Sequence, residues 1–168
     1  MDKSQRAKLI LKTLKKIYPK TPIPLNHNSK FTLLVSVLLS AQCTDVNVNN
    51  VTKNIYPKYN KPLHFVKLGR KKIETLIKSI GIFRVKAKSI YQLSKQLMTN
   101  HNGRVPRSFK ELEALPGVGH KTASVVMSQG FNQPAFPVDT HIHRLAQRWG
   151  LTNGRNVVQT EQDLKELF

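Results

Sequence analysis

At 168 residues the chain is long enough for one compact unit or two small lobes, and too short for several independent domains. Twenty-eight Lys and Arg against nine Asp and Glu give a formal net charge of +19, which favours a polyanionic partner. A single cysteine, Cys43, excludes an intramolecular disulfide and any multi-cysteine metal site, and the absence of a signal segment or a membrane-length apolar run reads as a cytoplasmic protein with no membrane partner.

The charge is uneven. Between Lys3 and Lys110 the only acids are Asp45 and Glu74, so the basic face is built mostly by the first two thirds of the chain. Nucleic acid is the first candidate for such a field and an anionic membrane the second, since neutralised phosphates release counterions whatever the base sequence. A generally basic composition that only solvates helix faces is the bland alternative.

In chain order, apolar residues recur at helical spacing: Leu14 and Ile17; Val48, Val51 and Ile55; Ile73, Leu76, Ile77 and Ile80; Ile90, Leu93 and Leu97. The apolar stretch Phe31 to Leu39 reads as a buried core element. Breaks fall at Pro22, Pro24, Pro57, Pro62, Gly69, Gly81, Gly103, Pro106, Gly130 and Gly150. No run alternates like a half-buried strand, and nine or ten short helices in an all-α fold are expected.

Ser108, with Glu111 three residues on, makes a capping-box pattern that opens a helix through Leu115. Pro116, Gly117, Val118 and Gly119 then turn the chain, and a second helix begins near His120 and runs to Gly130. Two glycines flanking Val118 allow conformations closed to other residues and leave room for another backbone to approach. The N-terminus of the second helix suits a phosphate oxygen, although a hairpin whose glycines only permit a tight turn would look the same. Lys121 lies in the first turn of that helix, where the dipole disfavours its ammonium form and so favours the neutral amine of a nucleophile; a plain phosphate-binding or solvated lysine is the competing reading. Asp139, after Pro134 and Pro137, opens a further helix as an N-cap and is the only acid between Glu113 and Glu161.

The string Leu115-Pro116-Gly117-Val118-Gly119-His120-Lys121-Thr122-Ala123, followed by Val138-Asp139-Thr140-His141, closely resembles the helix-hairpin-helix and Gly/Pro-Asp signature of the endonuclease III family. Leu38-Leu39-Ser40-Ala41-Gln42-Cys43-Thr44-Asp45 resembles that family's characteristic loop, and the similarity covers essentially the whole chain. The resemblance implies two helical lobes. One is a six-helix bundle over residues 22–133 that contains the hairpin (about 108–130); the other is a smaller discontinuous lobe of residues 1–21 plus 134–168; DNA lies in a cleft between them. It also implies a monomeric, nucleoid-associated enzyme of base excision repair acting on damaged double-stranded DNA, a bifunctional N-glycosylase and abasic-site lyase for oxidised pyrimidines.

By the same resemblance Lys121 attacks C1′ of a flipped-out nucleotide and Asp139 stabilises the charge that develops on the sugar. Gln42 fills the hole left in the stack, Ile80 and Ile82 wedge the opposite strand, Gly117, Val118 and Gly119 hold the backbone, and His141 lies near the lesion pocket. From periodicity alone Ile80 and Ile82 read as core packing at a helix end, and Gln42 as a surface turn residue. His141 and His143 lack further ligands, so no metal is expected.

The sequence departs from the family in carrying no four-cysteine loop. A [4Fe-4S] cluster is therefore expected only in a longer product, and the chain, which stops at Glu166-Leu167-Phe168, reads as truncated. The adenine-glycosylase branch lacks a lysine at the nucleophile position, and the 8-oxoguanine branch resembles the Gln42 loop less. The alternative from another class is a non-catalytic helix-hairpin-helix DNA-binding module, or a truncated and inactive glycosylase.

Overall fold

Side-chain caps start most of the helices where the sequence places Ser, Thr, Asn or Asp ahead of an apolar-periodic run. The computed structural model describes residues 1–168 and contains nine α-helices and no strand. They are α1 (Lys3–Ile17), α2 (Lys30–Ser40), α3 (Asp45–Ile55), α4 (Pro62–Leu76), α5 (Phe83–Asn100), α6 (Phe109–Glu113), α7 (His120–Val125), α8 (Thr140–Arg148) and α9 (Val157–Leu167). A π-helical turn, Val126–Gly130, continues α7. Asp2 with Gln5 and Ser29 with Thr32 form reciprocal capping boxes on α1 and α2, while Thr44, Ser108, Asp139 and Asn156 cap α3, α6, α8 and α9. Gly69, at φ 73° and ψ 159°, breaks α4 into two halves.

The contacts divide the chain into two units, residues 24–135 with α2 to α7, and residues 1–23 with 136–168, which hold α1, α8 and α9. In the larger unit α2 is the central element. Every residue from Phe31 to Leu39 is buried, which only a helix packed on all sides can satisfy. It meets α3, α5, α7 and the π turn, and Phe31 sets its ring edge-on to Phe65 at 5.5 Å. The polar residues of α2 are paired: Ser36 donates to the Asn26 carbonyl at 2.8 Å and lies 2.6 Å from the Tyr56 hydroxyl, which donates to the Thr32 carbonyl at 3.0 Å. Burial pushes the Tyr56 phenol well above its ordinary range, so it stays a neutral donor.

In the smaller unit Ala7, Val138, Ala146, Leu151 and Leu164 form the core, with Ile10, Phe136, Ile142, Val157 and Leu167 against it. The end of α8 is a Schellman motif, in which Leu151 N–H reaches the Ala146 carbonyl and Gly150 N–H the Gln147 carbonyl, with Gly150 at φ 64°. Arg6 of α1 donates to the carbonyls of Trp149 and Gly150 and ties α1 to that corner. His143 bonds Thr160 at 2.7 Å, which joins α8 to α9. An apolar groove of about 450 Å³ runs over this unit, lined by Leu11, Leu14, Leu145, Trp149 and Phe168 among others.

Asp163 of α9 accepts from the Thr152 hydroxyl at 2.5 Å and from Gln159 at 2.9 Å, and these bonds, the first above all, hold its carboxyl below the ordinary carboxylate range. With the folded-state value depressed, the unfolded chain takes up the proton first as pH falls. The stabilisation is therefore complete above the ordinary range and lost through and below it. Urea unfolding of Asp163→Asn against the unaltered chain is expected to show a stability difference at pH 7 that shrinks as pH falls below about 4; a difference that stays constant to pH 3 would remove Asp163 from this role.

Candidate functional site

The hairpin between α6 and α7 is set by one glycine and anchored by three apolar side chains. Ser108 accepts from the Glu111 N–H, and its hydroxyl donates to the Glu111 carboxylate at 2.5 Å; the capping pattern thus closes through the two side chains rather than through the Ser108 backbone. Leu112, Leu115 and Val118 are buried beneath the turn. Gly117 sits at φ 79°, and a Cβ there would lie 2.7 Å from both Cβ and Oγ of Ser89 and 3.2 Å from a methyl of Leu38. No other residue fits, because both the conformation and the space exclude a side chain.

Gly119 differs from the expectation that both glycines serve conformation. Its backbone is extended, at φ −92° and ψ 177°, and a Cβ there would meet nothing within 4 Å. What Gly119 contributes is open space at the outer face of the turn. The Val118 side chain is buried, and its N–H is given to the Leu115 carbonyl. His120 stacks on Phe109 and bonds Glu113 at 2.6 Å, and Lys121 follows on the exposed side of the first turn of α7. The π turn then lays Gly130 against Leu33 of α2, where an added Cβ would lie 3.2 Å from a leucine methyl.

Two further loops of the same unit meet at the ends of α2 and α5. Gln42, after α2, and Ile82, before α5, both adopt left-handed backbone at φ 53° and 49°, a rare state for any residue with a side chain and rarest for a β-branched one. Both side chains are exposed, Ile82 at 55%. Gly81 brings the loops together, since a Cβ there would lie 3.5 Å from the Gln42 carbonyl oxygen. Asn47 bridges them, donating to the Ser79 carbonyl at 3.0 Å and to Cys43 Sγ at 3.3 Å. Ile80, expected beside Ile82 as a wedge, is instead a core residue at 1% exposure, because the chain turns at Gly81 and leaves its side chain inward.

Lys86 is a functional candidate that sequence reading missed. It is 3% exposed, and its ammonium donates to the carbonyls of Leu39 at 2.8 Å and Ala41 at 2.5 Å. Nothing in a lysine-rich string distinguishes it from its solvated neighbours.

In the other unit Asp139 caps α8, with one carboxylate oxygen accepting the N–H groups of His141 at 3.0 Å and Ile142 at 2.9 Å. His141 is exposed on the first turn, while His143 is committed to Thr160.

The hairpin followed by an aspartate-capped helix is matched over residues 35–168 by the family described as the HhH-GPD superfamily of base excision DNA repair proteins. Endonuclease III of Escherichia coli (strain K12) is 44% identical over 164 residues, covering 98% of this chain and 77% of that protein. The chain belongs to the endonuclease III family. Endonuclease III of Bacillus subtilis (strain 168) is also 44% identical, over 88% of this chain and 68% of its own. The solved structure of a non-covalent endonuclease III–DNA complex superposes with a TM-score of 0.93 at 40% identity, covering 100% of this chain and 79% of that one. The protein is thus an endonuclease III-type enzyme, a DNA glycosylase of base excision repair.

Cys43 is the only cysteine of the 168 residues, and no group of three His, Cys, Asp or Glu side chains converges. No helix is long and apolar enough to cross a membrane.

The two hairpin glycines make opposite predictions. Gly117→Ala meets about 1–2 kcal/mol of left-handed strain and about 1–3 kcal/mol of overpacking, and is expected to lower the urea midpoint sharply. Gly119→Ala is expected to change stability by no more than about 0.5 kcal/mol yet weaken DNA binding in a fluorescence-anisotropy titration. Unchanged binding in folded Gly119→Ala would show that no partner backbone comes close at this turn.

Proposed function

We propose that this endonuclease III-type enzyme is a bifunctional N-glycosylase and abasic-site lyase that acts as a monomer on double-stranded DNA carrying oxidised pyrimidines. The observation that carries the proposal is Lys121, an exposed amine in the first turn of α7 directly after the open face of the hairpin. Membership of a family with a relative solved on DNA supports the substrate. The reading carries with it a cytoplasmic, nucleoid-associated location.

The damaged nucleotide leaves the stack at a cost of a few kcal/mol, least for lesions that already pair badly, which gives the first stage of selectivity. Gln42 enters the space it vacates. Ile82, without Ile80, presses on the opposite strand. Gly119 and the start of α7 receive the backbone near the lesion. His141 lies near the lesion pocket.

The Lys121 amine attacks C1′, the glycosidic bond breaks, and the base leaves with the bonding pair and takes up the proton that the amine gives up as the C1′–N bond forms. Asp139 stabilises the positive charge that spreads over the sugar as that bond lengthens. The C1′–O4′ bond then breaks as O4′ takes up a proton, and the nitrogen lone pair closes the C=N bond of a Schiff base. Removal of a C2′ proton then expels the 3′ phosphate by β-elimination, and water releases the enzyme. One amine serves both reactions, which is the economy of covalent catalysis.

Incubation with duplex DNA holding a single abasic site or thymine glycol under borohydride is expected to yield a covalent protein–DNA band. Lys121→Ala should abolish that band while binding persists. Wild-type protein that binds damaged duplex and gives no band would leave a non-catalytic helix-hairpin-helix module or an inactive glycosylase.

A further inference from the structure

Gln42 and Ile82 hold a conformation that costs about 1–2 kcal/mol in each residue that has a Cβ, and such strain persists only where the surroundings over-determine it. The surroundings here converge on Lys86. Its backbone lies one turn into α5, whose preceding residue is Ile82, and its N–H closes that turn on the Ile82 carbonyl at 3.1 Å. Its side chain crosses to α2 and donates to the carbonyls of Leu39 and Ala41, the second of which immediately precedes Gln42. A cation at the C-terminal end of a helix opposes the dipole favourably, and a lysine ammonium has donors enough for both carbonyls. Burial draws the Lys86 pKa down, and the neighbouring Cys43 works the other way.

One residue thus grips both loops, through its backbone on the Ile82 side and through its side chain on the Gln42 side. Asn47 supplies the second tie, from α3 to the Ser79 carbonyl ahead of Gly81. The ties run in different directions, so together they fix the spacing of the two loops.

We infer that Lys86 is a positioning residue for lesion recognition, which by gripping the Leu39 and Ala41 carbonyls from α5 presents Gln42 and Ile82 as one rigid two-pronged insert. The inference rests on the reading of Gln42 and Ile82 as the residues that enter the duplex. It does not depend on the chemistry of Lys121.

The test is a ratio of affinities, for a duplex containing a tetrahydrofuran abasic analogue and for the same duplex undamaged. Lys86→Met keeps the length and the apolar stem but loses the ammonium. It is expected to lose about tenfold of the wild-type preference for the abasic duplex, while affinity for undamaged duplex, set by overall charge, falls by no more than about twofold. Lys86→Arg should restore most of the preference. In a Gln42→Ala background Lys86→Met should have no further effect on the ratio, because it acts through Gln42.

Should Lys86→Met fail to fold, Lys86→Gln serves instead, which keeps a donor but is too short for both carbonyls, with a smaller loss of about threefold that likewise vanishes in the Gln42→Ala background. Additive effects in that background, an unchanged ratio, or a wild-type chain that does not discriminate would each overturn the inference. Absence of the borohydride band, by contrast, would sink the lyase reading and leave the binding ratio to judge Lys86.

Discussion

The missing side chain at residue 117 is the constraint on which the larger unit depends. Its left-handed turn sits against Ser89 of α5 and Leu38 of α2 with no room for a methyl group, which seats the hairpin on that pair of helices. The same pair carries the other exposed elements. Leu38 is one turn before Gln42, and Ser89 follows Lys86, which in turn follows Ile82. The start of α7, the Gln42 loop and the Ile82 loop are therefore three outgrowths of one α2–α5 frame, and their relative positions are as fixed as a close-packed core can make them.

Energetically α2 is the well-satisfied part of the frame and the rim is its strained part. Within α2, Ser36 is buried with bonded partners and Tyr56 closes the network above it. At the rim two residues with full side chains occupy a region that glycine would take at less cost. Strain of this kind collects where a protein must hold a group outward against its own preference. Asp139 achieves a comparable fixity without strain, because two helical N–H groups orient its carboxylate.

How much of this was legible depends on whether the signal is local. Helical periodicity and Gly/Pro punctuation located the helices, since both follow from neighbours in sequence, and the Ser108, Gly117 and Lys121 series announced the hairpin. Gln42 stood out only through resemblance, because no periodicity marks a residue that earns its conformation from a distant lysine. Lys86 was hidden for the complementary reason: burial of an ammonium is a tertiary fact, and among so many lysines the letter alone is uninformative. Periodicity favoured core packing for Ile80, which is where it lies, and the family pattern suggested otherwise. The π turn after α7 had no signature, its extra residue being absorbed by packing of Gly130 on α2.

The membership of α1 in the smaller unit has a consequence for how the chain comes into being. Its partners, α8 and α9, lie beyond the whole of residues 24–135. At roughly 5–20 residues per second, α1 waits on the order of ten seconds after leaving the ribosome before the segments it packs against exist. A helix of this length alone in water is marginal, so for that interval it is a largely unstructured basic segment, with Lys8, Lys12, Lys15 and Lys16 keeping Leu9, Leu14 and Ile17 in solution. The larger unit has time to complete its core first. Residues made ahead of the larger unit thus find their place only after it is complete.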